Sequence, residues 1–293
     1  MEDRINLIIN LLNKMDIASD EAKYYIYRLF MNIKSLKDKD SFFVYDDYML
    51  ETIITSYFIY CDKPKMDDIY DAFRSRYIYN ENAIENIHNL EEKKGLGEAY
   101  DFVANLDNYT NVNIMTLIPI HKRLYSKTPH PEFGGTLRVS PAYFNGFQNE
   151  ISAPENVIKD LVSLLSYSNS LTLKAIEIEK ENDPIKKIEF INEMLDFKCK
   201  LILIHPFADG NGRSIRILTN LYFKIAGIPP VYIEENEKDE YIKCINLACK
   251  PKEYNPDIIP LRKFYYYKLC DSIVKLDVIS KKNVSEIKNI GRK

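Results

Sequence analysis

Apolar residues recur at helical spacing along almost the whole chain. Ile5, Ile8, Ile9, Leu12 and Met15 make one stripe, and Ala22, Tyr25, Ile26, Leu29, Phe30 and Ile33 a second, with Ser19 placed to cap it. A charged connector, Lys34 to Asp40, precedes an apolar run from Tyr48 to Tyr60 that Asp62-Lys63-Pro64 ends. Met66 to Tyr79 reads as helix, and no glycine occurs before Gly95, which suits continuous helices with short links. These early stripes are core or an interaction face; the sequence does not separate the two. Helical patterns return at Ala99 to Leu106, Ile114 to Leu124, Pro154 to Tyr167, Glu237 to Cys249 and Ile259 to Val274. His121 lies in the second of these as an ordinary surface or core residue. Lys127 to Gly135 is a loop by its proline and glycine density. Thr136-Leu137-Arg138-Val139-Ser140 is the best strand candidate, with Pro141, Asn145 and Gly146 as turn residues. The expectation is an all-α fold with one short β-hairpin. Gly95 to Gly97 suggests a boundary, dividing the chain into 1–94, 95–275 and a polar tail, 276–293, that frays from about Ser280.

Composition narrows the function classes. At 293 residues with 46% hydrophobic content, the chain has ample material for one large core or two smaller ones. A net charge of −3 gives no reason to expect nucleic acid or a membrane as the main partner. Five cysteines, Cys61, Cys199, Cys244, Cys249 and Cys270, show no metal-ligand pairing, so free thiols in a reducing compartment are expected. The N-terminus lacks the pattern of a signal peptide, and Ile5 to Leu12 is too short to span a bilayer, so the expected location is cytoplasmic.

Chemistry concentrates in one stretch, His205-Pro206-Phe207-Ala208-Asp209-Gly210-Asn211-Gly212-Arg213, with Arg216 beyond it. An apolar helical run, Leu195 to Ile204, leads in, and proline at 206 disfavours helix at the residue before it. Ile215, Leu218, Thr219, Tyr222 and Ile225 then mark a new helix. Its free N–H groups point into the turn, and both those donors and the helix dipole favour an anion. Gly210 and Gly212 allow close backbone approach to phosphate oxygens, while Asn211 adds side-chain donors or tolerates a left-handed conformation. Arg213 and Arg216 share a helical face and offer forked donors to phosphate. Asp209 is the single hard oxygen ligand that Mg²⁺ commonly takes when nucleotide phosphates supply the others. His205 is largely neutral at pH 7 yet able to take a proton, and Phe207 plugs the turn into the core. Taken singly, a structural histidine, a glycine connector and solvated arginines are the ordinary readings. Together and in this order, they describe a site for a polyphosphate and its metal.

This run resembles the signature of the Fic (filamentation induced by cAMP) family, HPF-x-(D/E)-GNGR-xx-R, and every specified position matches. The resemblance implies transfer of AMP from ATP to a Ser, Thr or Tyr hydroxyl of a protein, with pyrophosphate leaving. It implies His205 as general base, Asp209 on Mg²⁺, Gly210, Asn211 and Gly212 as phosphate cradle, Arg213 on the β-phosphate and Arg216 on the γ-phosphate. Segment 95–275 becomes the Fic domain, and Thr136 to Ser140 its flap, a hairpin that grips the target's backbone. Tyr241 and Asn246 are candidates to hold the adenine, with core packing as the alternative.

Upstream, Glu85-Asn86 resembles the end of the family's inhibitory helix, (S/T)-x-x-x-E-(G/N), whose glutamate pairs with the second arginine and blocks the γ-phosphate. Ala83, Ile84, Ile87 and Leu90 are expected as the buried stripe of a helix near 80–90, with Glu81 and Glu85 on another face. Glu81 stands where the family has Ser or Thr, and a second carboxylate beside Glu85 disfavours burying both. ATP and a target protein are the implied partners; self-modification and a homodimer stay open. Two other classes also stay open: a hydrolase that removes AMP from a modified protein, and a nucleotide-sensing regulatory module.

Overall fold

The structure, a computed structural model, describes residues 47–60, 65–143, 146–250 and 255–290; the stripes expected before residue 47 lie outside them. Ten α-helices are described: α1 (Asp47–Tyr60), α2 (Met66–Ile84), α3 (Leu90–Ala104), α4 (Leu117–Tyr125), α5 (Val157–Ser163), α6 (Leu165–Glu181), α7 (Pro184–Ile204), α8 (Asn211–Ile225), α9 (Lys238–Ala248) and α10 (Ile259–Ile290). The bundle is built around α8. Every residue from Arg213 to Ile225 is buried, because α3, α4, α6 and α7 pack on it from all sides. Its end is sharp: Gly227 takes φ +67°, and the Ile228 N–H donates to the Phe223 carbonyl at 2.8 Å, closing a left-handed cap.

The long helix α7 delivers the chain to the turn. Asp183 caps it, its carboxylate accepting from the N–H groups of Ile185 and Lys186, and Pro184 occupies the first helical position. α1 lies against α7 and α10, while α9 lies against α10. α2 crosses onto α3 and is tied to α8 directly: Tyr70 donates to the Asn220 carbonyl, and Lys224 Nζ meets Asp67 Oδ1 at 2.8 Å.

Three expectations are corrected. Gly95 and Gly97 do not join two elements; both lie buried inside α3. A Cβ on Gly95 would sit 2.2 Å from the Leu124 carbonyl oxygen, so this glycine exists for close packing of α3 on α4. The polar stretch expected as a tail from Ser280 is helical in the structure, where α10 runs on to Ile290. No hairpin forms among the described residues of the flap. Leu137 instead makes an isolated antiparallel bridge with Phe207, and the Arg138 N–H donates to the Pro206 carbonyl at 2.9 Å. Its guanidinium, buried, donates to the carbonyls of His205 (2.6 Å), Ile204, Ser140 and Ser152. The strand pairs with the turn after α7 rather than with itself.

Candidate active site

The turn between α7 and α8 is held from three directions. His205 closes α7 in a left-handed conformation, φ 49°, and Gly210 takes φ 74° just before α8 begins. Asn211 is a brace: its Oδ1 accepts from the Phe207 N–H at 2.9 Å, and its Nδ2 donates to the Phe207 carbonyl at 2.7 Å. One of its two side-chain N–H donors, expected for phosphate, is therefore spent on the turn. Phe207 is fully buried, as expected, and stacks on His121 with centroids 3.7 Å apart. The bridge to Leu137 and the Arg138 contacts hold the third side.

His205, Asp209, Gly210, Asn211, Gly212 and Arg216 come together in one cleft of about 170 Å³ with Ile84, Glu85, Tyr143, Lys238 and Ile242. Burial, aided by the nearby Arg138 charge, pushes the His205 imidazole down to about 4, so the ring is neutral at pH 7. The Asp209 carboxylate stands out at the mouth. Partial burial would raise its pKa, but the Tyr125 hydroxyl, which donates to Oδ2 at 2.8 Å, and the Arg213 charge bring it below the ordinary value. Arg213 is buried, with Nη1 3.2 Å from Glu92 Oε2 and Nη2 3.7 Å from Asp209 Oδ2.

Arg216 carries two carboxylates. Its Nε donates to Glu81 Oε2 at 2.5 Å and its Nη2 to Glu85 Oε1 at 2.7 Å. Glu85 lies over the start of α8: a Cβ on Gly212 would meet Glu85 Oε1 at 2.7 Å, so a larger residue there would push the Glu85–Arg216 pair aside. Glu81 is fully buried, and its burial drives its pKa up against the pull of Arg216; Glu85, also desolvated, is brought down by Arg216 and then Arg213. The expected separation of a buried stripe from an acidic face does not hold here. α2 ends at Ile84 and Asn86 turns left-handed at φ 56°, so Leu90 opens another helix and is 70% exposed, whereas Glu81 is interior.

Tyr241 and Asn246 do not line the cleft. Tyr241 is buried against Phe264 in the α9–α10 contact, with Arg216, Glu81 and Tyr265 around its hydroxyl. Asn246 accepts from the Gln148 N–H and donates to the Gly146 carbonyl, both at 2.8 Å, bracing the chain after the flap. The cleft instead takes Lys238 and Ile242, one turn apart on the neighbouring face of α9. Of the flap, Leu137 is half-buried, Arg138 is interior, and Thr136, Val139 and Ser140 face outward, Val139 being 92% exposed. Sequence reading missed His121, Tyr125 and Glu92. Their one signal was the i, i+4 spacing of His121 and Tyr125 on α4.

Among the described residues no group of three or more His, Cys, Asp or Glu is placed to hold a metal. One exposed carboxylate is a poor cage but a suitable single ligand for Mg²⁺ that brings phosphates of its own, so the residues fit that ion. Cys199, Cys244, Cys249 and Cys270 are buried and form no disulfide among the described residues, and no described helix is long and apolar enough to cross a membrane.

Residues 111–223 match the profile of the Fic/DOC family. The chain is 29% identical over 137 residues to protein adenylyltransferase fic-1 of Caenorhabditis briggsae, a stretch covering 47% of this chain and 24% of that protein. It is 29% identical over 159 residues to protein adenylyltransferase Fic of Nematostella vectensis, covering 54% and 34%. The matched stretch is thus about a quarter to a third of these curated relatives. The solved structure of C. elegans Fic-1, spanning its residues 134–508, superposes with a TM-score of 0.56 at 20% identity, over 89% of this chain and 77% of that one. A Fic-domain protein from Bacteroides thetaiotaomicron superposes with a TM-score of 0.54 at 18% identity, over 77% and 94%. The complete HPF-x-D-GNGR-xx-R run lies inside the stretch that matches the Fic/DOC family profile, and the helical fold around it is similar to that of these Fic structures.

Proposed function

We propose that the chain is a protein adenylyltransferase that moves AMP from ATP to a hydroxyl of a protein, and that Glu85 restrains it. The observation that carries the reading is the shared cleft: a neutral His205 beside the free N–H groups of α8, with Glu85 and Arg216 in the same space. In this reading the polyphosphate lies along the start of α8, over Gly210 and Gly212, with Arg213 toward the β-phosphate and Arg216 toward the γ-phosphate. Asp209 would hold Mg²⁺, which would supply charge neutralisation on the departing phosphates. His205 takes the proton of the target hydroxyl as its oxygen bonds to the α-phosphorus. The bond from that phosphorus to the bridging oxygen breaks, and pyrophosphate leaves with the electron pair. Positioning and charge neutralisation do most of the work. The 94% exposed Tyr143 lines the cleft, and with the outward Val139 of the flap it is available to a target segment.

Glu85 competes for the same ground. With its carboxylate on Arg216 and over Gly212, the γ-phosphate and Glu85 cannot both occupy the site. A cleft of about 170 Å³ is also small beside the ~300–1,000 Å³ common for small-molecule pockets. The intact mass of Glu85→Gly after incubation with ATP and Mg²⁺ tests the assignment, with labelled ATP in a lysate to reach other targets. The expected result is a gain of one AMP on the chain or on a lysate protein. Adding His205→Ala is expected to slow it ~10²–10⁴-fold. A gain of one phosphate would instead assign phosphoryl transfer. AMP released from a modified protein, and only when Glu85 is present, would assign the hydrolase.

A further inference from the structure

We infer that His121 is a positioning residue whose two ring nitrogens separately hold the flap and the Asp209 loop. This inference rests on the proposed function. His121 is 2% exposed on α4 and touches neither nucleotide nor target in that reading. Its Nδ1 lies 2.8 Å from the Gly135 nitrogen, and its Nε2 lies 2.9 Å from the Asp209 carbonyl oxygen. A backbone N–H only donates and a carbonyl only accepts, so the tautomer is fixed: Nδ1 accepts from the flap and Nε2–H donates to the loop. One neutral ring satisfies both, and no other protonation state does.

The placement is rigid. The ring stacks on Phe207 at an interplanar angle of 10°, and a Cβ on Gly210 would come within 3.1 Å of Nε2, so the loop backbone lies directly against it. One turn along α4, Tyr125 donates to the Asp209 carboxylate itself at 2.8 Å. α4 therefore grips Asp209 at its main chain and at its side chain, and through the same imidazole grips Gly135, three residues before Arg138. Outer-shell groups of this kind orient a metal ligand and typically change metal affinity ~10–100-fold when removed. The consequence is two separable functions in one side chain: metal affinity through Nε2, and order of the flap through Nδ1.

Two amide substitutions divide them. Glutamine places its amide nitrogen near the Nε2 position and keeps the donor to Asp209. Asparagine places its amide oxygen near Nδ1 and keeps the acceptor for Gly135. Both are made in Glu85→Gly, where the cleft is open, and melting curves confirm the fold. Mn²⁺ binding in the presence of ATP is read by electron paramagnetic resonance of free Mn²⁺. Exchange of the amides of 135–138 is read by mass spectrometry. His121→Asn is expected to weaken Mn²⁺ about 10–100-fold with flap exchange unchanged. His121→Gln is expected to bind Mn²⁺ within about threefold of its parent, with flap exchange raised by about tenfold for one lost hydrogen bond. Wild-type-like Mn²⁺ binding in His121→Asn overturns the inference. So does equal loss of both properties in both variants, with or without loss of the fold, which makes His121 a packing residue. Failure of the Glu85→Gly parent itself to bind Mn²⁺ with ATP overturns the functional reading instead, and the inference with it.

Discussion

Lys198 is the residue whose chemistry was least legible in the sequence. A lysine in an amphipathic helix ordinarily faces water, because lysine is almost never fully buried without a partner. In α7 it is fully buried, its Nζ has no hydrogen-bond partner, and it lies 5.7 and 5.6 Å from the ring centroids of Tyr241 and Tyr265. Burial, with the Arg216 charge beside it, pushes the ammonium down to about 7, while Glu81 pulls the other way. Between about 7 and the ordinary lysine value near ~10.4, the unfolded chain keeps a proton that the folded chain has lost. Stability from this group therefore rises with pH across that window. Lys198→Met removes the titration and keeps the volume. In urea unfolding at pH 7, 8 and 9, wild type is expected to gain up to about 1.4 kcal/mol per pH unit relative to the variant. Parallel slopes for the two proteins would mean that the lysine keeps its proton in the fold. The position of His205 in the cleft, by contrast, was legible at once, because the residues that hold its turn are its neighbours in the sequence.

At the scale of elements, the restraint proposed for the cleft lies where α2 meets α8, through the Arg216 pairs with Glu81 and Glu85. The motif Glu85-Asn86 was visible in the sequence, but the interior position of Glu81 was not. The helical stripe through Ala83, Ile84, Ile87 and Leu90 assumed one unbroken helix, whereas the chain breaks at Glu85 and restarts behind the Asn89 cap. The face of α9 was misread for a similar reason: one residue of shift moves Tyr241 into the core and Ile242 into the cleft. The two glutamates act on different nitrogens of Arg216, and so should act differently. Glu81 on Nε holds the guanidinium in place from the interior; Glu85 on Nη2 occupies the side toward the cleft. Glu85→Gly is expected to raise ATP affinity at least about tenfold by removing the competitor, with little change in melting temperature. Glu81→Ala leaves a buried cation with one partner fewer and is expected to cost about 3–5 kcal/mol of stability without raising ATP affinity. Calorimetric ATP titration and thermal melting read the two quantities separately. A rise in ATP affinity in Glu81→Ala would show that both carboxylates restrain the site.

For the whole molecule, the glycine pair at 95 and 97 was read as punctuation because glycine in a sequence marks turns far more often than it marks close helix contacts. The helical class was legible from periodicity; which helices share a core was not, because packing partners leave no local signal. The described part of 47–94 is bound into the remainder at every level. α1 lies against α7 and α10, burying Leu50, Ile53, Ile54 and Phe58. α2 supplies Tyr70, Phe73 and Tyr77 to the same continuous core. It also supplies the charges opposite Lys224 and Arg216, both on the central helix. Without Glu81, the buried Arg216 cation would face an open, apolar surface, and breaking a buried pair costs about 3–5 kcal/mol. That alone is comparable to the ~5–15 kcal/mol by which a whole domain is stable. We therefore expect a fragment of residues 95–293 not to fold as a unit, although the family profile matches only residues 111–223. Its far-ultraviolet circular dichroism should show reduced helicity per residue and no cooperative melt, while the full chain melts in one transition. A fragment that melts cooperatively with the full chain's helicity per residue would restore the boundary near Gly95 and make α1 and α2 a separable module.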